Sequence, residues 1–100
     1  MARPQAFLRA HWTEQWQESY AGLPAERQVS CDRAILALIK RTDSAGLNVK
    51  PILPDKYFWE ARVSSGDRIV FRRGEGMIVF IDVVAHDEIQ RFGRRPRGTR

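Results

Sequence analysis

Residues 57–88 constrain this chain more than any other stretch. They read YFWEARV, SSGD, RIVFR, RGEG and MIVFIDVVAHDE. Three β-branched and aromatic runs are joined by two short glycine-bearing turns and end on His86-Asp87-Glu88. Runs of this composition, punctuated by glycine, specify an antiparallel β-meander. Which side chains the meander aims outward decides what chemistry the chain can carry.

The turns set the register. Ser64-Ser65-Gly66 suits a three-residue hairpin loop, a type I turn followed by glycine in the left-handed region. It pairs Val63 with Asp67, Arg62 with Arg68, Glu60 with Val70 and Phe58 with Arg72. Trp59, Ala61, Val63, Ile69 and Phe71 then share one apolar face. A three-residue second loop, Gly74-Glu75-Gly76, places Asp82 opposite Arg68, Phe80 opposite Val70 and Ile78 opposite Arg72, with Met77, Val79, Ile81 and Val83 on the core side. A two-residue loop is rejected because it buries Asp82 and exposes Ile81. In this register one face takes helices, while the other carries Arg62, Arg68, Asp82 and, past Val84, His86. Two arginines directly opposed repel unless an acid or anion sits between them. Glu60 and Asp82 suit an ion-paired face; the planar guanidinium forks equally suit a phosphate.

Helical cover precedes the meander. Thr13 is a candidate N-cap, Glu14 suits the positive end of the helix dipole, and Gly22 is a stop. Trp12, Trp16, Tyr20 and Leu23 recur at helical spacing, which predicts a helix over about 13–21 with a core-facing stripe. Pro24 stands where a second helix can start without wasting an N–H. From there Ala25, Val29, Cys31, Ile35, Leu36, Leu38 and Ile39 fill one half of a helical wheel over four to five turns. The short connection makes an antiparallel helical hairpin. Residues 42–48 close it, and Val49 to Asp55, with two prolines, is read as an extended link. Phe7 to Arg9 is a possible short edge strand. The expectation is an α+β domain over residues 1–92, a helical hairpin packed on a small antiparallel sheet, followed by a basic, disordered tail over residues 93–100.

Charge supports that division. All twelve Asp and Glu residues precede Arg91, together with twelve of the seventeen Lys and Arg residues. The net +5 therefore comes from Arg91, Arg94, Arg95, Arg97 and Arg100. Such a tail attracts phosphates or acidic proteins, with an affinity that falls as salt rises. No apolar run approaches a membrane span, and the first residues lack the apolar core of a secretory signal, which points to the cytoplasm and away from a membrane partner. Cys31 is the only cysteine; on the apolar side of the second helix it reads as a small core residue. His86-Asp87 adjacency also occurs in metal-dependent phosphohydrolases, but those need further ligands and His11 is the only other histidine. No metal site and no cofactor are expected. A histidine beside paired arginines suits acid–base work on a phosphodiester.

The helical hairpin, the Asn48-Val-Lys-Pro-Ile-Leu53 link, Tyr57-Phe-Trp-Glu-Ala-Arg62-Val, Gly66-Asp-Arg68-Ile-Val-Phe71 and the strand ending Val83-Val-Ala-His86-Asp-Glu resemble the RelE/ParE superfamily of bacterial type II toxins. The resemblance spans roughly residues 5–92. It implies a toxin neutralised by a cognate antitoxin. In the RelE-like branch it implies an endoribonuclease that cuts mRNA on the ribosome without metal and so inhibits translation. In the ParE branch it implies a protein that poisons DNA gyrase; an inactive nucleic-acid- or protein-binding relative is a further alternative. The resemblance makes Arg62, Arg68, His86, Asp87 and Glu60 the candidate catalytic set. Arg62, Arg68, Arg72, Arg91, Arg94 and Arg95 are the candidate RNA-binding residues. Arg68 matches the arginine that opens the family's middle strand, and His86 falls where several members carry a basic or histidine residue. The chain departs from the pattern at Phe58, Trp59 and Glu60, where RelE carries lysines. It departs also at Asp87, where an arginine is used, and at Phe92, which is nearest to a functional tyrosine.

Overall fold

The computed structural model describes residues 7–42 and 45–97. Five strands form one mixed sheet: β1 (Arg9–Trp12), β2 (Lys50–Pro51), β3 (Trp59–Arg62), β4 (Asp67–Gly74) and β5 (Met77–Ala85), in the order β1-β5-β4-β3-β2. Two helices, α1 (Glu14–Ala21) and α2 (Ala25–Lys40), lie between β1 and β2 in the chain. A 3₁₀ segment, His86–Phe92, follows β5. The α+β architecture with helices ahead of a meander is as expected. The sheet is not wholly antiparallel, because β1 pairs with β5 in parallel.

The first turn keeps the register read from the sequence, but Gly66 does not take the left-handed conformation expected of it. Arg62 pairs with Arg68, Ala61 with Ile69, Glu60 with Val70 and Trp59 with Phe71. The second turn does not keep its register. Gly74 pairs with Met77, so the loop has two residues, and Gly76 takes φ +72, a conformation glycine adopts without a Cβ clash. Phe71 pairs with Phe80 and Val70 with Asp82, leaving Ile81 as the extra residue of a β-bulge. The expected pairings of Asp82 with Arg68, Phe80 with Val70 and Ile78 with Arg72 are therefore wrong. The loop is thus the two-residue one that was rejected, and Asp82 is buried, but the bulge seats it opposite Val70 on the second face rather than in the helix-side core. Ile78 and Phe80 enter the helix-side core, and Val83 returns to it after the bulge, while Ile81 packs on the other face.

Thr13 gives the bulge a physical cause. As N-cap of α1 its hydroxyl oxygen accepts from the Trp16 N–H at 3.0 Å, while the same hydroxyl donates to the Ile81 carbonyl at 2.8 Å. The carbonyl of the extra residue is thus satisfied where β1 ends and α1 begins.

On the helix side Trp16, Cys31, Ala34, Leu38, Ala61, Ile69, Phe71, Ile78 and Phe80 belong to one buried cluster. Phe80 stacks on Trp12, centroids 4.5 Å apart, and meets Trp16 at 5.1 Å. Cys31 is a core residue, and burial, helped by the charges of Asp32 and Asp67, pushes its thiol up to about 12. The helical wheel errs at three positions: Ala25 is exposed, Val29 and Leu36 are half exposed, and Ala34 takes the inward place. Helix α2 drops Arg41 into the left-handed region at its end, φ 62, and stops.

The second face is not left open as expected. Ile52, Phe58, Val70 and Ile89 form a smaller buried cluster there, with Tyr57, Ile81, Val84 and Phe92 packed against it. The 3₁₀ segment supplies Ile89, and the link after β2 supplies Ile52. Gly93 then passes so close to the Leu53 carbonyl that a Cβ would sit 2.5 Å from it, and the Gly93 carbonyl accepts from the Asp55 N–H. Of the tail expected over 93–100, the described residues begin tied to the domain: the Arg95 N–H donates to Asp55 Oδ2 at 2.6 Å. Residues 98–100 lie outside the described residues.

Candidate functional site

Beside the small cluster, the second face holds a polar cleft of about 330 Å³ lined by Asn48, Lys50, Glu60, Arg62, Arg68, His86, Asp87, Ile89 and Gln90. All five residues singled out as catalytic line it. They arrive from three places. The first turn opposes Arg62 and Arg68, β3 brings Glu60 two residues before Arg62, and the 3₁₀ segment that follows β5 brings His86 and Asp87. The link between helix and sheet brings Asn48 and Lys50.

Arg68 is the most constrained of the set. Its Nη1 donates to the carbonyls of Ser64 and Asp67, at 2.7 and 3.0 Å, and its Nε lies 3.7 Å from Glu60 Oε1. Both side chains of that pair are largely buried. The turn carbonyls hold one edge of the guanidinium, and Glu60 offsets part of its charge. Arg62 is exposed, and its side chain has no ion pair or hydrogen bond to another described residue. Of the opposed pair, one arginine is thus locked and the other is unengaged. An anion entering the cleft would relieve their repulsion.

The turn itself is anchored from both sides. Asp67, buried, accepts from Arg27 Nε at 2.9 Å and Nη2 at 2.6 Å. The Asp67 hydrogen bond and charge push the Arg27 guanidinium above its ordinary range. The Ser64 hydroxyl oxygen accepts from the Asp67 N–H at 3.2 Å, and the Gly66 carbonyl accepts from the His86 N–H at 2.9 Å. His86 is fastened by its backbone to the turn that fastens Arg68 by its side chain.

The other candidates fall elsewhere. Asp82, expected against Arg68, is buried opposite Val70; its Oδ1 accepts from the Val83 N–H and its Oδ2 lies 3.9 Å from Arg91. Arg91 also meets Glu88 at 3.5 Å. Arg72 lies over the Tyr57 ring at 3.7 Å, with Arg95 5.2 Å from the same ring. Arg94 is exposed beyond the 3₁₀ segment. Arg72, Arg91, Arg94 and Arg95 are therefore outside the cleft. Asn48, Lys50 and Gln90 were missed. Lys50 precedes a proline in what reads as a linker; a strand that tolerates proline at the sheet edge was the available signal.

Among the described residues no group of three or more His, Cys, Asp or Glu side chains is placed to hold a metal ion, and no helix is long and apolar enough to cross a membrane. A second concavity, about 700 Å³ and mainly apolar, lies on the helix side between Trp12, Trp16, Tyr20, Ile35 and Leu36. In it the Tyr20 hydroxyl donates to Asp32 Oδ1 at 2.6 Å, a bond that raises the phenol to about 12.

No family model matches the chain, and no curated protein sequence does. Solved structures match its fold. YafQ from E. coli superimposes with a TM-score of 0.69 at 14% identity, over 82% of this chain and 97% of the other. The toxin–antitoxin complex RelBE2 from Mycobacterium tuberculosis gives 0.65 at 14% identity, over 81% and 100%. A YoeB/ParE toxin from Agrobacterium tumefaciens gives 0.65 at 16% identity, over 79% and 99%.

Proposed function

We propose that this chain, which has the fold of the RelE/ParE-type toxins, is the toxin of a type II toxin–antitoxin pair and an endoribonuclease that cuts mRNA on the ribosome. The observation that carries the reading is the single cleft in which Arg62, Arg68, His86, Glu60 and Asp87 converge.

The chemistry follows from those groups. A ribose 2′-hydroxyl attacks the adjacent phosphorus, the bond to the 5′ oxygen of the next nucleotide breaks, and the products carry a 2′,3′-cyclic phosphate and a 5′-hydroxyl. Negative charge builds on the non-bridging oxygens. Arg68, preorganised by the turn carbonyls and by Glu60, and Arg62, which has its donors available, stabilise it. His86 gives a proton to the leaving 5′ oxygen, and Glu60 takes one from the 2′-hydroxyl. Asp87 orients the histidine. Lysines are absent from β3, so this arrangement places its positive charge on two arginines and Lys50.

Complexes with antitoxins are among the structures of this fold, as in RelBE2 and the DinJ–YafQ complex of E. coli. Here the proposed antitoxin contributes an amphipathic segment, and the groove at Trp12 and Leu36 offers it an apolar seat.

Induced expression tests the reading. The native chain arrests growth with falling protein synthesis and intact DNA, while Arg68→Ala and His86→Ala, folded by circular dichroism, do not. A DNA-damage response with translation intact would instead identify a gyrase poison.

A further inference from the structure

A second cleft, of about 260 Å³, adjoins the first and shares Arg62 with it. Its lining includes Ser30 and Arg33 of α2, Gly46 and Leu47 of the 3₁₀ turn Ala45–Leu47, and Arg62 and Val63 at the end of β3. The topology explains why one arginine reaches both. β2 pairs only with Trp59 and Glu60, so β3 is the edge of the sheet at Ala61 and Arg62. Arg62 stands where the second face turns over toward α2.

The charge of the second cleft is one-sided. The described lining of the second cleft contains two arginines, a serine hydroxyl and no carboxylate. Arg33 and Arg62 are both exposed, and the side chain of neither has an ion pair or hydrogen bond to another described residue. The arginines around the turn differ: Arg27 is held by Asp67, Arg68 by the turn carbonyls and Glu60, and Arg91 stands between Asp82 and Glu88. A row from Arg68 through Arg62 to Arg33 therefore runs from an engaged cation to two with free donors. Two adjoining clefts along such a row match a strand that carries one charge per residue and reaches beyond the reacting phosphate.

We infer that the Arg33–Arg62 cleft is a flanking phosphate subsite for single-stranded RNA, continuing the strand from the Arg68–His86 cleft over the edge of the sheet toward α2. The inference rests on the nuclease reading of the first cleft. It adds a residue on α2, outside the sheet, to the contact surface. Its energy is electrostatic and independent of sequence, so it lengthens the footprint without adding base preference.

The test is binding of 2′-O-methyl oligouridine, which cannot be cleaved, by fluorescence anisotropy at low salt with a 3-mer and a 12-mer. The full chain is compared with Arg33→Ala, Arg68→Ala and, as a matched charge loss on the far edge strand, Arg9→Ala. Arg33→Ala is expected to weaken the 12-mer about three- to tenfold, reduce its salt slope by about 0.7, and leave the 3-mer unchanged. Arg9→Ala is expected to change neither, and Arg68→Ala to weaken both. If Arg33→Ala binds the 12-mer like the native chain, or Arg9→Ala loses as much, the subsite is wrong while the Arg68 cleft stands. If Arg68→Ala also binds as well as the native chain, or the native chain binds neither oligomer, the underlying nuclease cleft falls with it.

Discussion

On the helix side of the sheet twelve described residues form one buried apolar cluster, whereas on the other side four do. At about 1.5–3 kcal/mol for each large side chain taken from water, the first face supplies most of the stability. The second supplies something else: a small apolar centre that roofs Val70 with Ile89 and leaves room beside it for Glu60, Arg62, Arg68 and His86. Stability is concentrated where no chemistry is proposed, and charge is concentrated where little area is buried. Substitutions on one face should be read in unfolding and on the other in activity.

The largest expected effect is on the helix side. Phe80→Ala removes a fully buried ring that stacks on Trp12 and meets Trp16 at a tilt, and should cost about 3–5 kcal/mol in urea unfolding. Ile89→Ala, in the small cluster, should cost nearer 2 kcal/mol. An equal loss at the two sites would break the comparison. Next, Arg68→Ala should lower the rate of RNA cleavage by about 10²–10³-fold, the effect of removing a preorganised donor from a transition state. Arg68→Lys should recover only part of it, because a point charge lacks the planar fork.

A smaller effect sharpens the boundary between the faces. Gly93→Ala puts a Cβ against the Leu53 carbonyl and should cost about 1–3 kcal/mol, the usual range for overpacking. Since Gly93 closes the 3₁₀ segment that supplies Ile89, hydrogen exchange should quicken in residues 86–92 before it does in α2. Uniform quickening would mean that the two faces unfold as one. The smallest effect concerns Cys31. Its thiol, held up to about 12 by burial, should resist alkylation at pH 8.5 until the chain is denatured. The sign for stability follows: an acid whose folded pKa is raised stabilises the fold below its unfolded value near 9 and loses that contribution as pH climbs toward about 12. Cys31→Ala should flatten stability in that window, and an unchanged slope would refute the assignment.

The legible parts of this fold were those governed by local chemistry. Thr13, Gly22 and Pro24 marked the helices because capping and backbone restriction act within one turn of chain. Ser64-Ser65-Gly66 fixed the first hairpin, and with it the Arg62–Arg68 opposition on which the site rests. The second hairpin was misjudged because its register depends on a distant residue. The Thr13 hydroxyl satisfies the Ile81 carbonyl, and no pattern within residues 74–85 announces that partner. The same holds for Asp82, whose place beneath Arg91 depends on the 3₁₀ segment folding back. Lys50 and Asn48 were read as linker since two residues of strand leave almost no alternation to detect. Arg33 stands on α2, far from Arg62 in the chain, and their neighbourhood exists only in three dimensions.

We propose that RNA is cut in the Arg62–Arg68–His86 cleft through attack by the RNA's own 2′-hydroxyl. The direct measurement is incubation of the purified chain with programmed ribosomes, followed by analysis of the mRNA ends. New 2′,3′-cyclic phosphate and 5′-hydroxyl termini are expected with the native chain, strongly reduced with Arg68→Ala and with His86→Ala. Intact mRNA with the native chain, or cleavage by both variants at the native rate, would contradict it.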